Sequence, residues 1–182
     1  MNPLLTCAAL ALLAMPALAQ TSPAAEPLLH VETSFEFIVH ASYAETAPLF
    51  GPQGERAWAG KHWNPQFIYP EPAKDVEGAV FTIQHGPFNA VWVNTLFDLD
   101  ARHFQYVYFL PDIMVTTIDV RFKIIDPLTT AVNVVYTRTA ITVAGNEHVQ
   151  TMNAGDKTAG PEWQKALDAY VAGKKSSTKS EH

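Results

Sequence analysis

Among the side chains able to do chemistry, Glu55 has the least ordinary setting, in the run Gly54-Glu55-Arg56-Ala57-Trp58. A carboxylate held between glycine and tryptophan beside an apolar cavity loses hydration in its charged form, so its pKa is expected to rise. The competing assignment is structural, a glutamate that caps or pins a helix terminus. The chain has 7 histidines. None falls in His-Glu-x-x-His or another locally legible ligand spacing, so no metal centre is expected. His62, next to Trp63, and His85, beside the Gly86-Pro87 turn, are placed at the rim of an expected cavity. No Gly-x-Ser-x-Gly turn, glycine-rich phosphate loop or dinucleotide fingerprint occurs, and Asp98 with Asp100 is expected to be a pair of solvated turn carboxylates. No catalytic residue and no cofactor are therefore assigned.

The stronger positive signal is aromatic. Trp58, Trp63, Phe67, Trp92, Tyr106, Tyr108 and Tyr136, with Phe104, supply large apolar faces, several of them tipped with a hydrogen-bonding group that can orient a ligand. Plain core packing accounts for most of them, and the remainder are the candidate lining of a ligand cavity.

These side chains need elements to position them. Val31, Thr33, Phe35, Phe37 and Val39 alternate with polar residues, the period of a half-buried strand. Ser42 followed by Glu45 predicts a capped helix start, and the prolines and glycines between there and Trp58 divide the segment into short helices. The chain extends again over 66–69. Five β-rich runs come next, 79–85, 90–99, 104–110, 115–125 and 130–143, separated by turn residues at Gly86-Pro87, Asp98 to Arg102, Pro111-Asp112 and Asp126-Pro127. Such short connections favour sequential antiparallel pairing. In the fourth run Met114, Thr116, Ile118, Val120, Phe122 and Ile124 share one face, opposite Asp119, Arg121 and Lys123. A last helix is predicted from Pro161, with Trp163, Ala166, Leu167, Tyr170 and Val171 at helical spacing before Gly173.

This is an α+β chain of order β-α-α-β(n)-α. The strand Phe35 to Ala41, the runs Ala47-Pro48-Leu49-Phe50 and Gly54 to Trp58, Trp63-Asn64-Pro65 with Tyr69-Pro70, the late strand Val134 to Thr139, and Trp163, Leu167 and Tyr170 occur in an order that resembles the START-like or SRPBCC superfamily. That superfamily includes the birch-pollen allergen type and the polyketide cyclase and dehydrase group. The resemblance covers roughly residues 29–171 and implies a helix-grip fold, a curved antiparallel sheet wrapped around a C-terminal helix with space between them. One departure is the polar, glycine-bearing stretch 146–160, which leaves the final helix shorter than usual or broken. The function implied is the binding of a hydrophobic or amphipathic small molecule, lipid or polyketide-like, without catalysis. The alternatives are a cyclase or hydrolase using a polar group in the same cavity, and a protein-interaction module marked by an exposed apolar patch.

The start of the chain sets the compartment. Leu4 to Leu18 is apolar and uncharged and ends in Ala17-Leu18-Ala19, the pattern of a cleavable export signal. The run is shorter than the roughly 20 apolar residues that span a bilayer, so no stable membrane insertion is expected after cleavage. Residues 1–19 are thus assigned as signal peptide, 20–28 as a flexible leader, 29–173 as the domain and 174–182 as a disordered tail. The only cysteine, Cys7, lies in the removed segment, which leaves no disulfide. A net charge of −6 argues against a nucleic-acid partner. Periplasmic or secreted protein is expected to begin at Gln20 and to contain 182 − 19 = 163 residues. Intact-mass measurement of exported protein checks this, and a retained Met1 or a lipid on Cys7 would refute it.

Overall fold

A computed structural model of the chain describes residues 26–179. The assigned signal peptide, most of the leader and the end of the tail lie outside these described residues. Strand β1 (His30–Val39) leads into a single-turn helix α1 (Tyr43–Thr46) and two 3-10 turns, Ala47–Phe50 and Gly54–Ala57. Six further strands succeed them, β2 (Gln66–Tyr69), β3 (Val80–His85), β4 (Phe88–Asp98), β5 (His103–Leu110), β6 (Met114–Asp126) and β7 (Thr129–Ala140), and then helix α2 (Gly145–Lys179). They form one antiparallel sheet of 7 strands in the order β1-β7-β6-β5-β4-β3-β2. The hairpins from β2 to β7 are sequential, as their turn residues predict. The pairing of β1 with β7, Phe37 opposite Val132, brings the first strand beside the last. Register shifts at Phe67/Tyr69, Asn94/Leu96 and Ile124/Asp126 mark bulges, which bend strands and increase their twist. The sheet is curved, and α2 lies across its concave side.

Period-two patterning decides which side is buried. Phe104, Tyr106, Tyr108 and Leu110 of β5 point inward with Met114, Thr116, Ile118, Val120 and Phe122 of β6. The predicted face of β6 stops at Phe122. Ile124 is 40% exposed because the strand runs beyond the cover of the other layer at the bulge.

The largest difference from the sequence expectation is in α2. It does not start at Pro161 but runs unbroken from Gly145 through Pro161 to Lys179, which also carries helix into the tail expected to be disordered. Buried or half-buried positions recur at helical spacing along its first half, Asn146, Val149, Asn153, Asp156 and Gly160, before Trp163, Leu167 and Val171 continue the stripe. Most of the early positions are polar or lack a side chain, so apolar periodicity could not reveal them. Each meets a matched group on or near the sheet. The Asn146 Oδ1 accepts from the Leu29 amide at 2.9 Å, and Asn153 meets the Thr33 hydroxyl. Gly160 is packed so closely that an added Cβ would lie 3.3 Å from the Phe35 ring. The Asp156 carboxylate receives a bidentate pair of hydrogen bonds from Arg138 of β7, Nε at 2.9 Å and Nη2 at 2.7 Å, and Arg138 Nη1 also donates to the Tyr108 hydroxyl at 2.6 Å and to Thr116 Oγ1 at 3.1 Å. Pro161 cannot donate to the Lys157 carbonyl, and because both residues are exposed water can take that carbonyl.

The same helix covers an edge. The amides of Ile38 on β1 and of His40 just past its end donate to Gln164 Oε1 at 3.3 Å and Asp168 Oδ1 at 3.0 Å, side chains one helical turn apart. Bonds that would otherwise invite another strand are thereby occupied.

The Arg138–Asp156 pair should therefore be costly to break and cheap to replace. Asp156→Ala leaves a buried guanidinium unpaired and is expected to lose about 3–5 kcal/mol of stability. The double variant Arg138→Met/Asp156→Leu should recover most of that loss in urea unfolding, and a near-neutral Asp156→Ala would contradict this seating of α2.

Candidate functional site

The segment between β1 and β2 closes one side of the space under α2, and its conformation is set by close backbone approaches. An added Cβ on Gly54 would stand 1.9 Å from the Pro48 carbonyl oxygen, and one on Gly51 would stand 2.2 Å from Asp75 Oδ2. Glycine at these two positions lets the 3-10 turns fold back on each other. Asp75, from the loop before β3, then fastens them, accepting from the Gln53 amide at 2.8 Å and the Gly54 amide at 3.2 Å. Trp58 Nε1 donates to the Leu49 carbonyl at 2.7 Å and Trp63 Nε1 to the Pro52 carbonyl at 2.8 Å. The Tyr106 hydroxyl donates to the Phe50 carbonyl, and Arg56 donates to Gln53 Oε1, Asn64 Oδ1 and the Pro65 carbonyl.

These ties hold Glu55 over a cavity of about 360 Å³. The pinned segment contributes Phe50, Glu55, Trp58, Ala59 and Trp63 to its walls. The sheet supplies Trp92, Tyr106, Ile118, Val120 and Tyr136, and α2 supplies Glu162, Trp163 and Ala166. Trp58 meets Trp163 edge to face at 5.4 Å between ring centroids, and Trp63 meets Trp92 in the same way at 5.4 Å. Aromatic contacts of this kind make a rigid wall.

Glu55 is the only acid in the pinned segment's part of the wall, and its carboxyl has no hydrogen-bond partner among the described residues. Burial, reinforced by the neighbouring charge of Asp75, pushes its pKa well above the usual carboxylate range. Burial raises Asp75 as well, but the Gln53 and Gly54 amides and the Arg56 guanidinium oppose that rise. Of the two carboxyls, Glu55 is the one with no donor to oppose the rise. Burial also lifts the hydroxyls of Tyr106 and Tyr136 above their ordinary values, which keeps both as neutral phenols.

Of the residues singled out in the sequence, Glu55, Trp58, Trp63, Trp92, Tyr106 and Tyr136 are brought together on this cavity. Phe67, Tyr108, His62 and His85 are not. Phe67 stacks on Phe81 at 5.4 Å near the β2 edge, and Tyr108 packs on Trp92 at 4.3 Å with its hydroxyl held by Arg138. Both share the inward face of the sheet but lie further along it. His62 is exposed in the turn before β2. His85 stacks on Tyr108 at 5.6 Å and Trp92 at 5.9 Å, and burial together with the Arg138 charge lowers its pKa, so it is a neutral packing residue. Residues outside the predicted site are Phe50, Ala59, Ile118, Val120, Glu162, Trp163 and Ala166. The alternation of β6 and the helical stripe of α2 carried a signal for Ile118, Val120, Trp163 and Ala166 as inward-facing, although not as cavity walls. Among the described residues, no group of three or more His, Cys, Asp or Glu side chains could hold a metal ion.

A half-buried glutamate such as Glu55, whose pKa is raised on folding, makes stability fall as pH rises, because between its unfolded and folded values the native state binds the extra proton. Glu55→Gln is therefore expected to melt higher than the unsubstituted protein at pH values above the ordinary glutamate value, and the difference should shrink in acid. Thermal melts across pH check this. An equal or larger advantage for the glutamine variant in acid would contradict it.

No protein-family model matches this chain. No curated protein matches it either. Solved structures do match. Norcoclaurine synthase from Thalictrum flavum, solved in complex with dopamine and hydroxybenzaldehyde, is similar with a TM-score of 0.58 at 11% identity over 80% of this chain and 88% of the other. The Mll3558 protein from Rhizobium loti gives a TM-score of 0.56 at 14% identity over 80% and 99%. Ara h 8.0201 gives 0.55 at 12% identity over 79% and 99%. At such identities the shared property is the backbone architecture, and the seven-strand curved sheet gripping one long helix gives this chain a helix-grip fold like that of these structures.

Proposed function

We propose that this chain is an exported binding protein that encloses a hydrophobic or amphipathic small molecule, lipid or polyketide-like, between the sheet and α2. The observation that carries this is the cavity, about 360 Å³ and walled largely by aromatic and aliphatic side chains. Its volume falls within the roughly 300–1,000 Å³ of small-molecule pockets, and burying an apolar guest there is favourable at about 25 cal/mol per Å² removed from water. Norcoclaurine synthase, solved with dopamine and hydroxybenzaldehyde, supports the idea that a protein of this fold can hold small aromatic molecules. Export is supported by the uncharged run Leu4 to Leu18 and its small-residue ending. No helix among the described residues is long and apolar enough to cross a membrane.

A second possibility is favoured by one specific feature, the unpartnered carboxyl of Glu55 on the cavity wall, whose pKa burial raises. A group of that kind can serve as general acid or, once ionised, as general base for a bound substrate, the chemistry of a cyclase or hydrolase.

Native mass spectrometry of protein recovered from the periplasm or the medium, followed by solvent extraction, is expected to find one passenger molecule per chain. For a carrier, incubation returns the passenger unchanged. For an enzyme, the protein converts it and Glu55→Gln does not. Protein that carries no passenger and takes up no neutral apolar dye such as prodan would overturn both.

A further inference from the structure

We propose that the guest presents a cationic ammonium group to the Glu55 carboxyl, within an enclosure formed by Trp58, Trp63 and Trp163. The inference rests on the cavity-bound guest proposed above and specifies its charge. The first ground is the composition of the wall. Its charged or chargeable carboxyls are Glu55 and, at an exposed position on α2, Glu162, and no Lys, Arg or His contributes to it. Arg138, stacked over the wall residue Tyr136 at 4.5 Å, is already paired with Asp156, so a guest carboxylate would enter a low-dielectric space without a free counter-cation, which costs binding energy rather than supplying it.

The second ground is hydrogen bonding. The buried Trp92 Nε1 has no partner among the described residues, but Trp58, Trp63 and Tyr106 already donate to the Leu49, Pro52 and Phe50 carbonyls. What these residues offer the cavity is aromatic surface, and what Glu55 offers is an acceptor without a donor. Aromatic surface and a desolvated carboxylate are the two elements that recognise an ammonium ion.

The groups facing Glu55 do not compete for that role. Arg56 is turned to Gln53, Asn64 and the Pro65 carbonyl, and Asp75 is held by the Gln53 and Gly54 amides. Tyr106 and Tyr136 approach from the sheet as neutral phenols, and Glu162 adds a second acidic group from α2. Burial favours the protonated form of Glu55 and an entering ammonium favours the ionised one, so binding of the cation is linked to release of a proton to solvent. Affinity for a permanently charged cation accordingly rises with pH.

The test is displacement of prodan from the mature protein by benzyltrimethylammonium, by its neutral isostere neopentylbenzene and by phenylacetate. The ammonium is expected to bind about tenfold or more tightly than the neutral isostere, a preference that grows from mildly acidic to mildly alkaline buffer, while phenylacetate competes weakly. Glu55→Gln should bring the ammonium and the isostere within about twofold of each other and remove the pH dependence. If the isostere matches the ammonium, if no competitor displaces prodan, or if Glu55→Gln keeps the preference, the charge assignment is overturned while the cavity-bound guest stands. If prodan does not enter at all, both fall.

Discussion

The buried bidentate pair between Arg138 of β7 and Asp156 of α2 fixes where the long helix lies on the sheet. A guanidinium taken out of water must find partners for its donors, and here Asp156, Tyr108 and Thr116 supply them. The helix can meet that demand at one register and depth only. With Asn146 near Leu29, Asn153 at Thr33 and Gly160 pressed against Phe35, the first half of α2 is held close to the sheet by polar matching and by the absence of a side chain. The second half presents Trp163 and Ala166 to a sheet bent by bulges, and there the two layers enclose the cavity. Close seating in one half and open space in the other are two consequences of one placement.

The pinned segment completes that enclosure and sets the chemistry. Two glycines allow a fold-back that no other residue permits without displacing Pro48 or Asp75, and backbone carbonyls take up the indole and phenol donors. Asp75, which accepts two amides, and Glu55, which accepts none, are neighbouring carboxyls with opposite assignments, one a structural fastener and one left available to a guest. Holding an unpartnered carboxyl in such a place destabilises the fold, and sites that bear that kind of strain are characteristically functional.

How much of this was legible in the sequence depends on whether the signal was local. The strands were legible because inward and outward residues alternate over 30–39 and 114–122, and the turns because Gly86-Pro87 and Asp126-Pro127 carry their own geometry. The first half of α2 was hidden because its buried face is Asn, Asp and Gly, whose partners lie on other strands, and because Pro161 looks like a helix start. Glu55 was legible from its neighbours Gly54 and Trp58, whereas Asp75 was not, since nothing near it in the chain shows that it clasps residues 53 and 54. Phe67 and Tyr108 share their alternation with Trp92 and Tyr106. Only distance along the curved sheet separates a cavity wall from filled core, and a period of two carries no such distance.

The central claim is that the space beneath the second half of α2 is a working cavity and not a packing residue of the fold. Ala166→Trp places a large side chain into it from the helix, leaving the Arg138–Asp156 seat untouched. Calorimetric titration of this variant with an apolar guest, beside its melting temperature, tests the claim most directly. Retained folding with loss of guest uptake is the predicted result, and undiminished uptake in a folded variant would contradict it.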